Sequence, residues 1–168
     1  ILPFGEFRKA VTSVQYACSG DSSRPVLTGV LFNYDGEVLT LVATDTHRLA
    51  VHKIHRAGIG SNLNVTVPEK ALKGMKQIPL GEEDAITVKF DAARLVVDTG
   101  RSRIVSQLLN GQYPNWERAV PSEFTRSWVI DRFEFQSNLR RALILAKDNA
   151  NRVKFTGQGD TIVISSRS

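Results

Sequence analysis

Segments with helical hydrophobic spacing alternate along the chain with short runs rich in β-branched residues. The first helical segment, FGEFRKAVTSVQYACSG, is followed by the runs VLTGVLFNY, VLTLVAT and RLAVHKI, which are separated by turn residues such as DGE. These patterns predict one amphipathic helix and then three strands. The predicted apolar face of this helix consists of Phe7, Ala10, Val11, Val14, Ala17 and Cys18.

The same order of elements recurs further along the chain. The segment VPEKALKGMKQI, in which Pro68 suits the first helical turn, precedes the runs AITVKFD, RLVVDTG and RIVSQLL. A third copy has the helical segment FEFQSNLRRALILAKDNA and only two strands, within RVKFTGQGDTIVISS. The predicted apolar faces are Ala71, Leu72, Met75 and Ile78 in the second helix and Phe135, Leu139, Ala142, Leu143 and Ala146 in the third.

A repeat of one helix followed by antiparallel strands predicts an α+β fold with the helices on one face of the sheets. Residues 1–125 are expected to form one domain of two repeat units. Residues 126–168 are expected to form the N-terminal part of a second domain that is incomplete here. The opening ILPFGEF has no initiator Met, so the chain is expected to be a piece of a longer polypeptide.

Composition and charge narrow the class of protein. The 168 residues are 42% hydrophobic and 23% charged, and no stretch reaches the roughly 20 consecutive apolar residues of a membrane span. This composition is typical of a soluble globular protein. The single cysteine, Cys18, excludes an internal disulfide, and its place on an apolar helix face predicts a buried thiol in a reducing, intracellular compartment. The net charge of +5 favours a polyanionic partner only weakly.

Basic side chains are predicted on the outward faces of all three helices. In each helix they follow an early acidic residue, where the helix dipole favours negative charge. Because no base-reading motif accompanies them, they predict phosphate contact with duplex DNA without sequence readout, and a stand-alone DNA-binding module is one function that fits. Ordinary solvated helix faces are the alternative. The basic residues are Arg8, Lys9, Lys70, Lys73, Lys76, Arg140, Arg141 and Lys147.

The segment ATDTHRLA places an aspartate, a histidine and an arginine between two predicted strands. A hairpin turn in which Asp45 bonds nearby backbone amides is the simplest interpretation, and a hydrolase centred on Asp45 and His47 is the alternative. The chain has no Gly-x-Ser-x-Gly motif, and His52 and His55 lie three apart on a strand and face opposite sides. We therefore expect no catalytic residue, no metal site and no cofactor.

Four motifs in combination are more specific than any of these features alone. RPVLTGVLF, LVATDTHRLA, LLNGQYPNWERAVP and RALILAKDNANRVKF closely resemble segments of bacterial DNA polymerase III β subunits, the replicative sliding clamps. The resemblance covers essentially the whole chain. It implies that residues 1–125 are the central domain of a clamp and that residues 126–168 are the opening of the third domain.

The resemblance implies the DNA clamp fold and a function without catalysis. Clamps of this family have three domains, and two subunits close head to tail into a homodimeric ring around duplex DNA, with the helices lining the hole. The implied partners are duplex DNA, DNA polymerase III, other proteins that carry a clamp-binding motif, and the clamp loader. The implied location is the cytoplasm, in association with the nucleoid.

The resemblance also implies a groove between the central and third domains into which partner proteins insert a short peptide. Leu27, Leu49 and Pro114 are expected to form apolar walls. Arg48 and Arg118 are expected to donate guanidinium hydrogen bonds to peptide carbonyls or carboxylates. The matched groove positions are Leu27, Thr44, Thr46, His47, Arg48, Leu49, Pro114 and Arg118.

The sequence departs from the family pattern in several respects. Thr46 stands where the family often has glycine or serine, which is expected to narrow the groove slightly, and Ala119 replaces the usual valine. Clamps of the family are typically acidic, whereas this chain is basic. Because the first domain and most of the third are absent, the groove and the ring-closing surfaces are expected to be incomplete in this chain.

Overall fold

The computed structural model describes residues 1–147 and 152–166. The chain divides into two compact units, Ile1–Val120 and Pro121–Ser168, so the first unit ends slightly before the boundary predicted at residue 125. The first unit contains β1 (Leu2–Pro3), α1 (Phe4–Val14), β2 (Gly29–Tyr34), β3 (Val38–Thr44), β4 (Leu49–His55), β5 (Leu63–Pro68), α2 (Glu69–Lys76), β6 (Ala85–Phe90), β7 (Arg94–Asp98) and β8 (Arg103–Gln107). The second unit contains α3 (Arg132–Ala146), β9 (Lys154–Gln158) and β10 (Thr161–Ser165).

The strands of the first unit form two antiparallel sheets that exchange one strand each. The first sheet has the order β4-β3-β2-β5, and the second has the order β1-β6-β7-β8. The three-strand runs predicted after each helix are confirmed, but β1 and β5 were not predicted. Each of these two strands precedes a helix and pairs with the first strand after the other helix, so that Pro3 lies opposite Ala85 and Pro68 lies opposite Gly29.

The helices begin and end differently from the prediction at three points. Pro68 is the last residue of β5 with an extended backbone, φ −56° and ψ 135°, and caps α2 instead of lying inside its first turn. α1 ends at Val14 and continues as a 3-10 turn, so Cys18 lies beyond the helix, although burial still raises the pKa of its thiol to about 12. α2 ends at Lys76, which leaves Ile78 outside it.

The main core lies where both helices and the inner faces of both sheets meet. Alternation along the strands points Phe32 inward from the first sheet, and its ring centroid lies 6.0 Å from that of Phe90 in the second sheet. Burying a large apolar side chain contributes about 1.5–3 kcal/mol, so this cluster dominates the stability of the unit. The core includes Phe7, Val11, Val14, Val30, Leu41, Leu72, Met75, Ile86, Leu95 and Val97.

In the residues that the structure describes, the second unit has one helix and a two-stranded antiparallel sheet. The carboxylate of Asp131 caps α3 by accepting a hydrogen bond from the backbone N–H of Glu134 at 2.8 Å. Phe135 of α3 stacks on Phe155 of β9 with ring centroids 5.5 Å apart. The predicted extension of this helix through residues 148–150 lies outside the described residues. No helix in residues 1–147 or 152–166 is long and apolar enough to cross a membrane.

Candidate functional site

A second apolar cluster lies on the face of the first sheet that points away from the helices. Leu31 of β2 and Val42 of β3 point to this face because side chains alternate along a strand. Leu27, from the 3-10 turn before β2, covers them and is only 2% exposed. We call this group the outer cluster, which comprises Leu27, Leu31, Val42 and Tyr113 with Val26, Leu49 and Trp116 at its edge.

Tyr113 attaches the segment after β8 to the end of β3. Its phenolic oxygen accepts a hydrogen bond from the backbone N–H of Thr44 at 3.1 Å, and burial raises the pKa of the phenol to about 12. The sequence analysis did not single out Tyr113. In the sequence, Tyr113 could have been recognised as an aromatic residue between a glycine, Gly111, and Pro114. The structure shows that Gly111 has a positive φ of 115°.

The turn between β3 and β4, residues Asp45–Arg48, is built around the carboxylate of Asp45. One carboxylate oxygen accepts hydrogen bonds from the backbone N–H groups of His47 and Arg48, both at 3.0 Å. The other accepts from the guanidinium Nε of Arg48 at 3.0 Å. The hydrogen bond from the Arg48 amide, then that from His47, hold the pKa of the Asp45 carboxyl below its usual value. The predicted hairpin turn is therefore confirmed.

A similar arrangement of Asp, two intervening residues and Arg occurs twice more within residues 1–147 and 152–166. Asp91 bonds the backbone N–H groups of Ala93 and Arg94 and the side chain of Arg94 in the turn after β6. Asp21 bonds the backbone N–H of Ser23 and the side chain of Arg24 before β2. Because the Asp91 turn lies in the second sheet, away from the outer cluster, the motif is a local device for closing turns and does not by itself indicate catalysis.

Two residues of the alternative hydrolase and metal-site interpretations, Asp45 and His52, have defined hydrogen-bond partners. The carboxylate of Asp45 is occupied by backbone amides and Arg48, and none of its described hydrogen bonds reaches the imidazole of His47. His52 Nδ1 lies 2.9 Å from the hydroxyl of Ser13 on α1. Within residues 1–147 and 152–166, no group of three His, Cys, Asp or Glu residues could hold a metal ion.

Thr44 and Thr46 give this turn its backbone shape. The hydroxyl of Thr44 donates to the carbonyl of Arg48 at 2.8 Å and accepts from the backbone N–H of Thr46 at 3.1 Å. Thr46 has a φ of +79° and is the one non-glycine residue with positive φ in the part of the chain that the structure describes. Thr46, His47 and Arg48 are exposed beside the outer cluster.

The remaining predicted groove residues lie around the same cluster. Leu49 packs at its edge, and Pro114 follows Tyr113 directly and is exposed. Arg118 is exposed on the 3-10 turn Trp116–Ala119, whose first residue packs on the cluster.

A neighbouring aromatic residue contacts the turn from the other side. The guanidinium carbon of Arg48 lies 5.7 Å from the ring centroid of Tyr16, which follows α1. This distance is within the range of cation–π attraction. The guanidinium of Arg48 is thus bonded to Asp45 through Nε and lies over the ring of Tyr16. The contact with Tyr16 was not predicted from the sequence.

The predicted DNA-facing residues differ in how far their charge is accessible. Arg8 forms an ion pair with Glu82, and Lys73 forms one with Glu69 at 2.8 Å. Lys76 is half-buried. Exposed residues that form no ion pair with any described residue are Lys9 and Lys70 in the first unit and Arg140, Arg141 and Lys147 in the second.

The fold places the chain in the class of DNA clamps. It superposes on the DNA polymerase sliding clamp of Bacillus subtilis with a TM-score of 0.92 and 26% identity, covering 99% of this chain and 45% of that one. The DNA polymerase III beta chain of Streptococcus pneumoniae also matches with a TM-score of 0.92, at 23% identity and over 99% of this chain and 45% of that one.

Sequence comparisons give the family. The profile described as "DNA polymerase III beta subunit, central domain" matches residues 2–115. The beta sliding clamp of Staphylococcus aureus is 34% identical over 156 residues, which are 93% of this chain and 41% of that protein. The beta sliding clamp of Synechococcus elongatus is 34% identical over 84% of this chain and 39% of that protein. The chain therefore belongs to the bacterial DNA polymerase III β subunit family, and it spans about two fifths of the length of these curated relatives.

Proposed function

We propose that the chain is a segment of a replicative sliding clamp, a processivity factor without catalytic activity of its own. Residues 1–125 correspond to the central domain of such a clamp, and residues 126–168 to the N-terminal part of its third domain. The match of residues 2–115 to the central-domain profile supports the first assignment. The helix and strand pair of the second unit, which repeats the order of elements in the first, supports the other.

The central part of this proposal is a peptide-binding groove beside the outer cluster. A peptide lies across Leu49 and Pro114, above the buried Leu27, and its polar backbone meets the exposed turn that carries Thr46 and His47. The observation that carries this proposal is the outer cluster itself: a buried apolar group on the helix-free face of a sheet, bordered by exposed arginine and threonine side chains. An apolar floor with a few placed polar groups is the usual composition of a ligand site.

Arg48 and Arg118 have different roles in this groove. Arg48 is restrained by Asp45 and Tyr16, so its terminal guanidinium nitrogens present a fixed pair of donors to a peptide carboxylate or carbonyl. Arg118 is exposed, and none of its described contacts is an ion pair. Its side chain therefore becomes ordered when the peptide binds, and the aliphatic part of that side chain covers the peptide.

The basic helix residues contact duplex DNA through phosphate groups without reading sequence. Lys9 and Lys70 carry most of this contact in the first unit because Arg8 and Lys73 are already paired with acidic side chains. In a complete clamp two subunits close into a ring, and DNA polymerase III, the clamp loader and other motif-bearing proteins dock on the groove. Such a clamp works in the cytoplasm, in association with the nucleoid.

The groove is tested by fluorescence polarisation with a labelled clamp-binding pentapeptide. We expect saturable binding that Arg118→Ala weakens about tenfold, equivalent to about 1.4 kcal/mol. Arg94→Ala is the matched control, because Arg94 is an exposed arginine on β7 of the second sheet, away from the outer cluster. Equal affinity of the wild type and the Arg118 variant would exclude the groove as described.

A stand-alone DNA-binding module is the second candidate function. The exposed Lys9 and Lys70 favour it, because their charge is not neutralised by a described partner. Two measurements together separate the functions: DNA binding that depends strongly on salt, with no detectable pentapeptide binding, would favour the module.

A further inference from the structure

Asn110 and Gly111 lie in an irregular stretch of chain that leads from the second sheet to the outer cluster. Neither residue belongs to a helix or a strand, and both are exposed. The chain is anchored on each side of them. The backbone N–H of Leu109 donates to a carbonyl of β5 at 2.8 Å, and the phenol of Tyr113 accepts from the backbone N–H of Thr44 at 3.1 Å. A change of backbone length at Asn110 therefore falls between two fixed points.

Asn110 is the only asparagine in the sequence that precedes a glycine. A backbone nitrogen can attack the side-chain carbonyl of the asparagine before it, because the chain holds the two groups close together. A side chain on the following residue hinders this approach, and glycine has none. Gly111 has a φ of +115°, which residues with a Cβ rarely adopt. The backbone therefore requires a glycine at the position where it makes the preceding asparagine most reactive.

The surroundings of Asn110 leave this reaction open, whereas those of Asp35, which also precedes a glycine, oppose it. Within residues 1–147 and 152–166, neither the side-chain amide of Asn110 nor the N–H of Gly111 takes part in a hydrogen bond. The carboxylate of Asp35 accepts hydrogen bonds from the backbone N–H groups of Glu37 at 2.9 Å and Val38 at 2.7 Å. These bonds, chiefly that from Val38, lower the pKa of Asp35 and keep it charged. A charged carboxylate is a poor target for a nitrogen nucleophile.

We propose that Asn110 is a site of spontaneous deamidation and that the isoaspartate formed there breaks the hydrogen bond between Tyr113 and Thr44. The Gly111 nitrogen loses its proton to water and bonds to the side-chain carbonyl carbon of Asn110, and the side-chain nitrogen leaves as ammonia. The product is a cyclic imide. Water then opens the imide at one of its two carbonyls, which gives either aspartate or isoaspartate. The whole reaction consumes one water and releases one ammonia, with no oxidation or reduction.

The two products have different structural consequences. Isoaspartate places the side-chain methylene in the backbone, which lengthens the chain by one bond of about 1.5 Å. Because Leu109 is bonded to β5, the added length displaces Tyr113, whose hydroxyl reaches Thr44 only from its present place. Aspartate adds a negative charge but leaves the backbone length unchanged, so the bond to Thr44 is retained. A loss of peptide affinity in the isoaspartate form is a further consequence, and it rests on the proposed function.

Ageing of the 168-residue chain in mildly alkaline buffer tests the modification. Ring closure needs the deprotonated nitrogen, so the rate of ammonia loss should rise with pH. Peptide mapping by mass spectrometry should show deamidation at Asn110, and an isoaspartyl methyltransferase should label the same peptide. Asn115 is exposed in the same segment but precedes a tryptophan, so it is the internal control and should remain asparagine. Equal conversion at the two positions, or none at Asn110, would overturn the proposal.

Hydrogen exchange at the Thr44 amide tests the structural consequence. In the separated isoaspartate form it should accelerate roughly two- to tenfold, the factor equivalent to the loss of one hydrogen bond. Asn110→Gln, whose longer side chain would have to close a larger ring, should keep slow exchange after the same ageing. Freshly prepared Asn110→Asp adds the charge alone and should keep it too. Unchanged exchange at Thr44 in the isoaspartate form would refute the release of Tyr113. Neither measurement uses the pentapeptide, so a failure here is distinct from a failure of the groove.

Discussion

The phenolic oxygen of Tyr113 accepts a hydrogen bond from the backbone N–H of Thr44 at a distance of 3.1 Å. The two residues are 69 positions apart in the chain. This bond joins the segment that carries Pro114 and Arg118 to the end of the strand that leads into the Asp45–Arg48 turn. A buried side chain thus links the two halves of the proposed groove.

Tyr113→Phe tests this positioning. Removal of the hydroxyl leaves the Thr44 N–H without its partner and should lower the free energy of unfolding by about 1 kcal/mol. Pentapeptide affinity should fall as well, because the two sides of the groove are no longer tied together. Tyr16→Phe is the control, since Tyr16 is 58% exposed and its ring, which contacts Arg48, is retained. Chemical denaturation and fluorescence polarisation measure the two effects, and an unchanged affinity in Tyr113→Phe would contradict the positioning role.

Thr46→Gly should stabilise the protein. A β-branched residue at φ +79° is strained by roughly 1–2 kcal/mol, and the greater freedom of glycine in the unfolded chain offsets part of the gain. We expect a net increase of roughly 0.5–1 kcal/mol in the free energy of unfolding. Thr12→Gly, at an exposed position inside α1, should instead destabilise by roughly 0.3–0.5 kcal/mol, the difference between the helix propensities of the two residues. Urea unfolding compares the two variants, and destabilisation by Thr46→Gly would show that the turn tolerates threonine without strain.

Asp45→Asn should lose stability in a pH-dependent way. The folded protein lowers the pKa of Asp45 below its ordinary value of 3.8, so its charged form stabilises the fold above that pH. This contribution disappears as the pH falls below 3.8 through the lowered folded-state value. The stability difference between wild type and Asp45→Asn should therefore be full at neutral pH and shrink towards zero in acid.

The control for this experiment is Asp91→Asn, which removes the charge from the same kind of turn in the second sheet. The pKa of Asp91 is also lowered, chiefly by a backbone hydrogen bond from Ala93, so the same pH dependence is expected. Of these two variants, only Asp45→Asn should also weaken pentapeptide binding, because Asp45 contacts Arg48 and Asp91 does not. Equal peptide affinities in the two variants would show that the Asp45–Arg48 turn does not contribute to peptide binding.

The combined Lys9→Ala and Lys70→Ala variant should reduce the salt dependence of DNA binding. Each lysine that no longer neutralises a phosphate lowers the slope of log affinity against log salt by about 0.9, so the double variant should reduce the slope by roughly 2. Arg8→Ala with Lys73→Ala removes the same formal charge from residues that are already ion-paired, and its effect should be smaller. Equal slopes for the two double variants would mean that only net charge matters.

The sequence predicted the elements whose signals are local. The three-strand runs were predicted because β-branched alternation and Asp-based turns lie within a few residues of each other. The strand β1 has two residues and therefore no periodicity to detect. Its partner β6 begins at Ala85, and nothing in a short window of sequence indicates a pairing over that distance. The exchange of strands is a tertiary feature that overrides the simple repeat.

The candidate site shows the same division. The roles of Leu27, Leu49 and Pro114 in the groove were predicted from the resemblance of the sequence to the clamp family. The hydrogen bonds from the Asp45 side chain to nearby backbone amides were predicted from the residue type. The roles of Tyr113 and Tyr16 depend on contacts with Thr44 and Arg48 that only the folded chain creates. Likewise, the ion pairing of Arg8 with Glu82, which limits the access of DNA to that arginine, joins residues far apart in sequence.

The exchange of β1 and β5 makes the two halves of the first unit mutually dependent. Neither half has a complete sheet by itself, so a separated half would complete its sheet only by trading strands with another copy, as a swapped dimer. Within one chain, the two halves must therefore fold in a single cooperative event. A destabilising substitution in β1 should therefore disturb the second sheet, β1-β6-β7-β8, although most of its strands lie late in the sequence of the unit. It should leave the first sheet, whose strands follow α1 directly, largely intact.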